Sequence, residues 1–270
     1  MQKISPNAYV ETGFRGCNVS FVVTKAGVVM IDTPMVPTEA IKWREEIAHF
    51  GELRYVINNE PHVDHVSGNY FFGGALIAQE GTSEAISHAA VAPLIDMLKR
   101  QAPESLPLPA DYHYRLPDIT FSHRLTLHLG GHTFQIMHLP GHSPSQTAVY
   151  VPEEKVVFTS DNVVNPGPPY FTQALPYDWL NSLKQIQLLG ADVVVPGHGT
   201  VTDKNYLPKM SSTVQNWINV VSGAMKQGLS VEEAQNKLSL EFLFPGLPVN
   251  DRLTMLKRMN IAHLYEVLKK

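Results

Sequence analysis

Residues 58–69 read NNEPHVDHVSGN. The stretch follows RYVIN at 54–58, a short apolar run with the length and composition of a buried strand. It places Glu60, His62, Asp64 and His65 within six residues. Imidazole nitrogens and carboxylate oxygens are the donors that divalent metals take from proteins. Residues two apart at a strand end point the same way, so Glu60 and His62 share a face. The chain must then turn, so Asp64 and His65 point elsewhere and would serve a second ion.

Three other polar clusters stand at the ends of apolar, strand-like runs: Gly141-His142-Ser143, Ser160-Asp161-Asn162 and Gly197-His198-Gly199. A lone Gly-His or Ser-Asp is more often a turn than a ligand. Four clusters in this order carry more weight, because open sheets gather their strand ends at one edge, where loops hold the chemistry. The glycines beside His142 and His198 allow tight turns and close approach of the backbone.

This order and spacing resemble the metallo-β-lactamase superfamily of dinuclear metallohydrolases. The family's H-x-H-x-D-H corresponds to Glu60 through His65, its later histidine to His142 in LPGHSPSQTAVYV, its bridging aspartate to Asp161 in VVFTSDNV, and its last ligand to His198 in VVVPGHG. Its early strand-end aspartate matches Asp32 in VVMIDTP. The resemblance covers roughly residues 8–202. It implies an α/β fold, an αββα sandwich of two mixed β-sheets flanked by helices. It implies one divalent ion on Glu60, His62 and His142, a second on Asp64, His65 and His198, and Asp161 as the bridge. Glu60 stands where the family usually has histidine. A carboxylate oxygen is a harder donor than imidazole, so Glu60 tilts the first site from zinc towards manganese or iron.

The chemistry this implies is metal-assisted hydrolysis of a small ester, thioester, lactone or amide, β-lactams included. Two ions lower the pKa of a bridging water, and Asp64 orients it or accepts its proton. No Ser-His-Asp order or nucleophile elbow competes. Two alternatives are an iron-dependent, redox- or oxygen-active member and a non-catalytic ligand-binding descendant. The loop NPGPPYFTQALPYDW, residues 165–179, carries Tyr170, Phe171, Tyr177 and Trp179. These either wall a pocket for an apolar or aromatic group or anchor the helix that follows.

The rest of the chain bounds the function. Its 270 residues are 44% hydrophobic and 17% charged, which suits a packed domain rather than disorder. A formal net charge of −4 without a Lys/Arg cluster gives no reason to expect nucleic acid as a partner. The lone cysteine, Cys17, excludes an internal disulfide and is expected to be a plain buried thiol. MQKISPNAYVETGF has no apolar h-region, and no apolar run reaches the ~18 residues that cross a membrane, so a cytoplasmic protein without membrane contact is expected.

Residues 1–204 are expected to form the metallo-β-lactamase-like domain and 205–270 a C-terminal helical extension of three helices packed on it. That extension could also form a pocket wall or a homodimer contact. Thr38 is expected to cap a helix over 38–50, Pro93 to interrupt a helical region over 83–101, and Ser230 with Glu233 to form a capping box. His123, His128, His132 and His138 read as surface or structural residues, and His263 could reach the site only if the last helix folds over it.

Overall fold

The computed structural model describes residues 1–244 and 246–269. Among these, twelve strands form two sheets. The first sheet runs in chain order: β1 (Gln2–Lys3), β2 (Ala8–Glu11), β3 (Val19–Thr24), β4 (Gly27–Ile31), β5 (Leu53–Asn58), β6 (Ala75–Gln79) and β7 (Ile119–Phe121). Its early strands pair antiparallel, and β4 through β7 pair parallel. The second sheet has the order β12 (Val193–Gly199), β11 (Val156–Asn165), β10 (Thr147–Val151), β9 (His132–His138), β8 (Arg124–Leu129), with β11 and β12 parallel.

Period-2 patterning builds the layers. Val29 and Ile31 of β4 meet Phe134 and Ile136 of β9 and Val149 and Val151 of β10 between the sheets. Val28 and Met30, one residue out of phase, turn to the outer face and pack on Ala40, Trp43 and Ile47 of α1 (Pro37–Ala48). Short α2 (Val63–Val66) follows β5; α3 (Glu80–Ser87) and α4 (Ala92–Gln101) follow β6. On the far side, Met137, Ala148, Val157 and Val194 face α5 (Pro176–Leu188). Beyond it lie α6 (Leu207–Lys226), α7 (Val231–Lys237), α8 (Leu240–Leu243) and α9 (Asp251–Val267). Trp179 of α5, Trp217 of α6 and Leu264 of α9 are all fully buried in one cluster, so the C-terminal helices share the core of the second sheet. The architecture is the expected α/β sandwich with a helical C-terminal region. Among the described residues no helix is long and apolar enough to cross a membrane.

Local expectations fared unevenly. The Ser230–Glu233 capping box is present. Thr38 does not cap α1: Pro37 occupies its first turn with Val36 at the N-cap, and the Thr38 hydroxyl instead meets Ser105 Oγ at 3.1 Å. The helical region is interrupted as expected: α3 ends at Ser87, and Pro93 stands in the first turn of α4. The second of the three expected C-terminal helices is divided into α7 and α8, giving four among the described residues.

One buried carboxylate joins the sheets. Glu154, in the turn after β10, accepts from Ser5 Oγ (2.6 Å), Asn7 Nδ2 (2.7 Å), the Asn7 backbone N–H (3.0 Å) and His132 Nε2 (2.8 Å). Burial works against the charge, but these donors outweigh it and hold the carboxyl down at about 2, against 4.5 unperturbed. Because the folded value is depressed, this stabilisation is present above pH 4.5 and lost as pH falls towards 2. Glu154→Gln should therefore lower stability at pH 7 by about 2 kcal/mol. The gap to wild type should close between pH 4.5 and 2 in denaturant titrations at stepped pH. A pH-independent gap would show that no charge is being held.

Candidate metal centre

Strand ends deliver the candidate residues to one edge of the sandwich. Asp32 follows β4, Glu60 follows β5, His62 is the N-cap of α2, and Asp64 and His65 lie within it. His142 sits between β9 and β10, Asp161 within β11 and His198 within β12. Two non-glycine residues here take left-handed backbone, Asp32 (φ 55°) and Ser160 (φ 45°). Such conformations cost about 1–3 kcal/mol each and persist only where the surroundings enforce them. At Ser160 the register of β11 against β12 shifts, a bulge that re-aims Asp161 out of the ladder.

The side chains gather into three overlapping groups able to hold an ion: Glu60, His62 and His142; Asp64, His65 and His198; and Glu60, His65 and Asp161. In the first, Glu60 Oε2 lies 2.5 Å from His62 Nδ1 and 3.6 Å from His142 Nε2. In the second, His198 Nε2 lies 3.3 Å from Asp64 Oδ2, and His65 Nε2 lies 3.9 Å from the same oxygen. Asp161 stands between them: Oδ1 is 3.4 Å from His65 Nε2, and Oδ2 is 3.3 Å from His198 Nε2 and 3.6 Å from His142 Nε2. Glu60 also reaches both groups, since its Oε1 lies 3.4 Å from His65 Nε2.

Outer hydrogen bonds turn free lone pairs into this space. The Tyr170 carbonyl can only accept, so the His142 Nδ1–H donates to it at 2.9 Å and Nε2 is left free. His62 Nε2–H donates to Gln173 Oε1 at 3.3 Å, which leaves its Nδ1 free. The two free nitrogens then face each other at 3.2 Å, against the Glu60 carboxylate. His65 Nδ1–H donates to Asp32 Oδ2 at 3.1 Å, and its Nε2 points inwards. Asp32 Oδ1 is fixed in turn by the Asn59 backbone N–H at 2.8 Å. Glu60 Oε2, His65 Nε2 and Asp161 Oδ1 are buried without a hydrogen-bond partner, although charged atoms crowd them. Converging lone pairs and orphaned buried donor atoms repel one another unless a cation stands among them, so the residues fit a metal centre.

Without an ion, protons take that place. Burial opposes charging His62, but Glu60 beside it overrides this and raises it to about 9. Burial likewise opposes charging His65 and His198, and the surrounding carboxylates raise both well above the usual imidazole range. Burial would raise Asp64 and Asp161, yet the adjacent histidines hold both low. A metal entering here displaces these protons, so affinity must rise with pH.

Several readings find their place. Cys17 is buried, and burial pushes its thiol up to about 11, so it is not a nucleophile at neutral pH. His132 binds Glu154, and His138 Nε2 meets the Pro144 carbonyl at 2.7 Å; neither belongs to the centre. Trp179 and Phe171 are fully buried core residues rather than pocket walls, and Tyr177 is 63% exposed. The structure adds partners that the sequence did not announce. Ser160 Oγ donates to Glu60 Oε1 at 2.9 Å, and Asn162 Oδ1 accepts the His142 backbone N–H at 3.0 Å. The signal for both was adjacency to Asp161 in TSDN, but a bulge cannot be seen in a linear pattern.

A Cβ at Gly197 would fall on the Asp161 carboxylate and within 2.6 Å of the Ser160 backbone. Gly197→Ala should therefore cost about 1–3 kcal/mol by overpacking. Chemical denaturation of the metal-free protein measures this; an unchanged midpoint would mean that Asp161 is free to swing away.

The comparisons with known proteins agree with this fold. A beta-lactamase-like protein 2 homolog of Caenorhabditis elegans is 27% identical over 194 residues, 70% of this chain and 58% of that protein. An atrochrysone carboxyl ACP thioesterase of Aspergillus terreus is 38% identical over 76 residues, 27% of this chain and 22% of that protein. The chain thus spans less than two thirds of the length of these relatives. A metallo-beta-lactamase family protein from Thermus thermophilus superposes with a TM-score of 0.69 at 17% identity, covering 98% of this chain and 94% of that one, a likeness of fold. The family described as the metallo-beta-lactamase superfamily matches residues 12–198, which run from the end of β2 to the last histidine of the centre, and the chain belongs to that superfamily.

Proposed function

We propose that the chain is a dinuclear metallohydrolase of small acyl compounds, with esters and thioesters as the leading class and lactones and amides, β-lactams included, as the others. The observation that carries this is the convergence of Glu60, His62, Asp64, His65, His142, Asp161 and His198, with three of their buried donor atoms left unpartnered. The thioesterase named among the relatives supports the substrate class.

In this reading Glu60, His62 and His142 hold one divalent ion and Asp64, His65 and His198 the other, with Asp161 between them. When bound, two such ions supply Lewis acidity, which acidifies water and polarises a carbonyl. The chain's own residues do the rest. His62, Asp64 and His198 are the partly exposed members, with 27%, 25% and 35% of their side chains open, so substrate enters on their side. Asp64 accepts the proton of the attacking water, the water oxygen bonds to the acyl carbon, and the bond to the leaving group breaks. Asp64 then returns the proton to that group. Asp32 holds the His65 tautomer throughout.

Glu60 sets the metal preference. Asp64 and Asp161 alone would bring two negative charges, and Glu60 makes three. The centre is then less positive than with histidine there, and one donor is harder, which favours manganese or iron over zinc. Glu60→His should shift metal preference towards zinc and lower the kinetic pKa on any substrate that turns over. If metal content and the pH–rate profile both stay as in wild type, Glu60 is not a ligand.

Asp161→Ala should lose metal and turnover together, because a shared carboxylate serves both positions. Elemental analysis and a panel of ester, thioester, lactone and β-lactam substrates test the whole reading. Two metal equivalents with hydrolysis support it. A redox-active iron complement without hydrolysis would move the chain to an oxygen- or electron-handling role, and no metal would make it a binding protein.

A further inference from the structure

Helix α9 carries a buried polar side chain with no part in the chemistry above. Asn260 is fully buried. Its Oδ1 accepts the Phe171 backbone N–H at 2.8 Å, and its Nδ2 donates to the Pro169 carbonyl at 2.9 Å. The amide thus clamps the peptide groups on either side of Tyr170, as a neighbouring strand would. Two other α9 residues hold the same loop. Arg252 donates to Tyr170 Oη from Nη2 at 3.0 Å and from Nε at 3.3 Å, and His263 Nε2 meets the Ala174 carbonyl at 2.9 Å.

The loop held in this way faces the centre with two acceptors. The Tyr170 carbonyl takes the His142 Nδ1–H, and Gln173 Oε1 takes the His62 Nε2–H. These are the two imidazoles of the Glu60 group. The other group draws its support from elsewhere: His65 is fixed by Asp32 at the end of β4, and His198 is carried by β12 itself. The two halves therefore stand on different parts of the fold.

We propose that Asn260 is a positioning residue for the Glu60–His62–His142 half of the centre, and that α9 thereby sets the metal affinity of that half and not of the other. This rests on the metal-centre reading. The clamp fixes where the Tyr170 carbonyl lies, that carbonyl fixes the tautomer and direction of His142, and Gln173, further along the same loop, does the same for His62. Loss of an outer-shell partner commonly weakens metal binding 10–100-fold. Losing Asn260 should weaken the first half by about tenfold or more and leave the second unchanged.

The test uses the full chain, stripped with chelator and titrated with manganese and with zinc against a competing chromophoric chelator. Wild type should bind two equivalents. If it binds none, the metal-centre reading fails, and the proposal with it, before any variant is made. Given two equivalents, Asn260→Ala should weaken one by about tenfold or more. In a His62→Ala background, where that half is already broken, Asn260→Ala should do nothing further to the remaining ion. Leu264→Ala, a core truncation on the same helix, controls for lost packing: it should lower thermal stability without separating the two affinities. Arg252→Ala changes an exposed residue and keeps the relay testable if Asn260→Ala does not fold; it should weaken the same ion several-fold. Unchanged affinities in the folded Asn260→Ala protein, equal weakening of both ions, or no effect of Arg252→Ala where Asn260→Ala does not fold would each overturn the proposal. Asn260 would then serve only to satisfy buried loop backbone.

Discussion

Three carboxylates, Glu60, Asp64 and Asp161, are forced together at one edge of the sandwich, two of them almost without contact with water. Like charges brought this close in a poorly solvated place repel strongly unless positive charge stands among them. Much of the surrounding structure answers that constraint. Four imidazoles ring the carboxylates, a bulge at Ser160 turns Asp161 inwards, and glycine at 197 leaves it room. The carboxylates raise the pKa of His62, His65 and His198, so protons and a metal would compete for the same place.

Support for that arrangement is unevenly distributed. Asp32, just after β4, holds the Asn59 backbone and the His65 ring through buried hydrogen bonds of 2.8 and 3.1 Å. The imidazoles of His62 and His142 lean instead on a loop between β11 and α5, backed by helices that come last in the chain. Phe171 packs between Trp179 and Trp217, at centroid distances of 5.1 and 5.3 Å, so the loop's backbone position is tied to the C-terminal core. The helical extension is thus part of how the site is built, beyond covering the second sheet.

How much of this could be read in the sequence follows from the range of each interaction. Strand-end clusters are local patterns, and the residues they named converge in the structure. The two faces of β4, β9 and β10 are equally local, because successive residues of a strand point to opposite sides. What stayed hidden depends on contacts between distant segments. Asn260 lies 89 residues from Phe171, and no pattern in NDRLTMLKRMN marks it as different from a solvated asparagine. The aromatic loop stayed open between two readings for a related reason: composition says that Phe171 and Trp179 want burial, but not whether a ligand or α6 provides it. Thr38 was overruled locally by Pro37, which starts the helix without a side-chain cap.

Glu60 shows why a one-letter departure within a motif is a structural statement and not only an electrostatic one. A histidine at this position would offer one inward nitrogen and need a partner for the other. Glutamate offers two oxygens, and they diverge: Oε2 faces His62 and His142, while Oε1 faces His65 and takes the Ser160 hydroxyl. Ser160 is the residue whose left-handed backbone aims Asp161. The carboxylate of the first cluster is therefore coupled through one hydroxyl to the placement of the carboxylate in the third. In the proposed dinuclear reading, such a centre would have two acidic groups reaching both ion positions, where a histidine would leave Asp161 as the sole link. The added negative charge makes any bound water less acidic. In return, a second carboxylate within reach of both histidine groups ties their placement together.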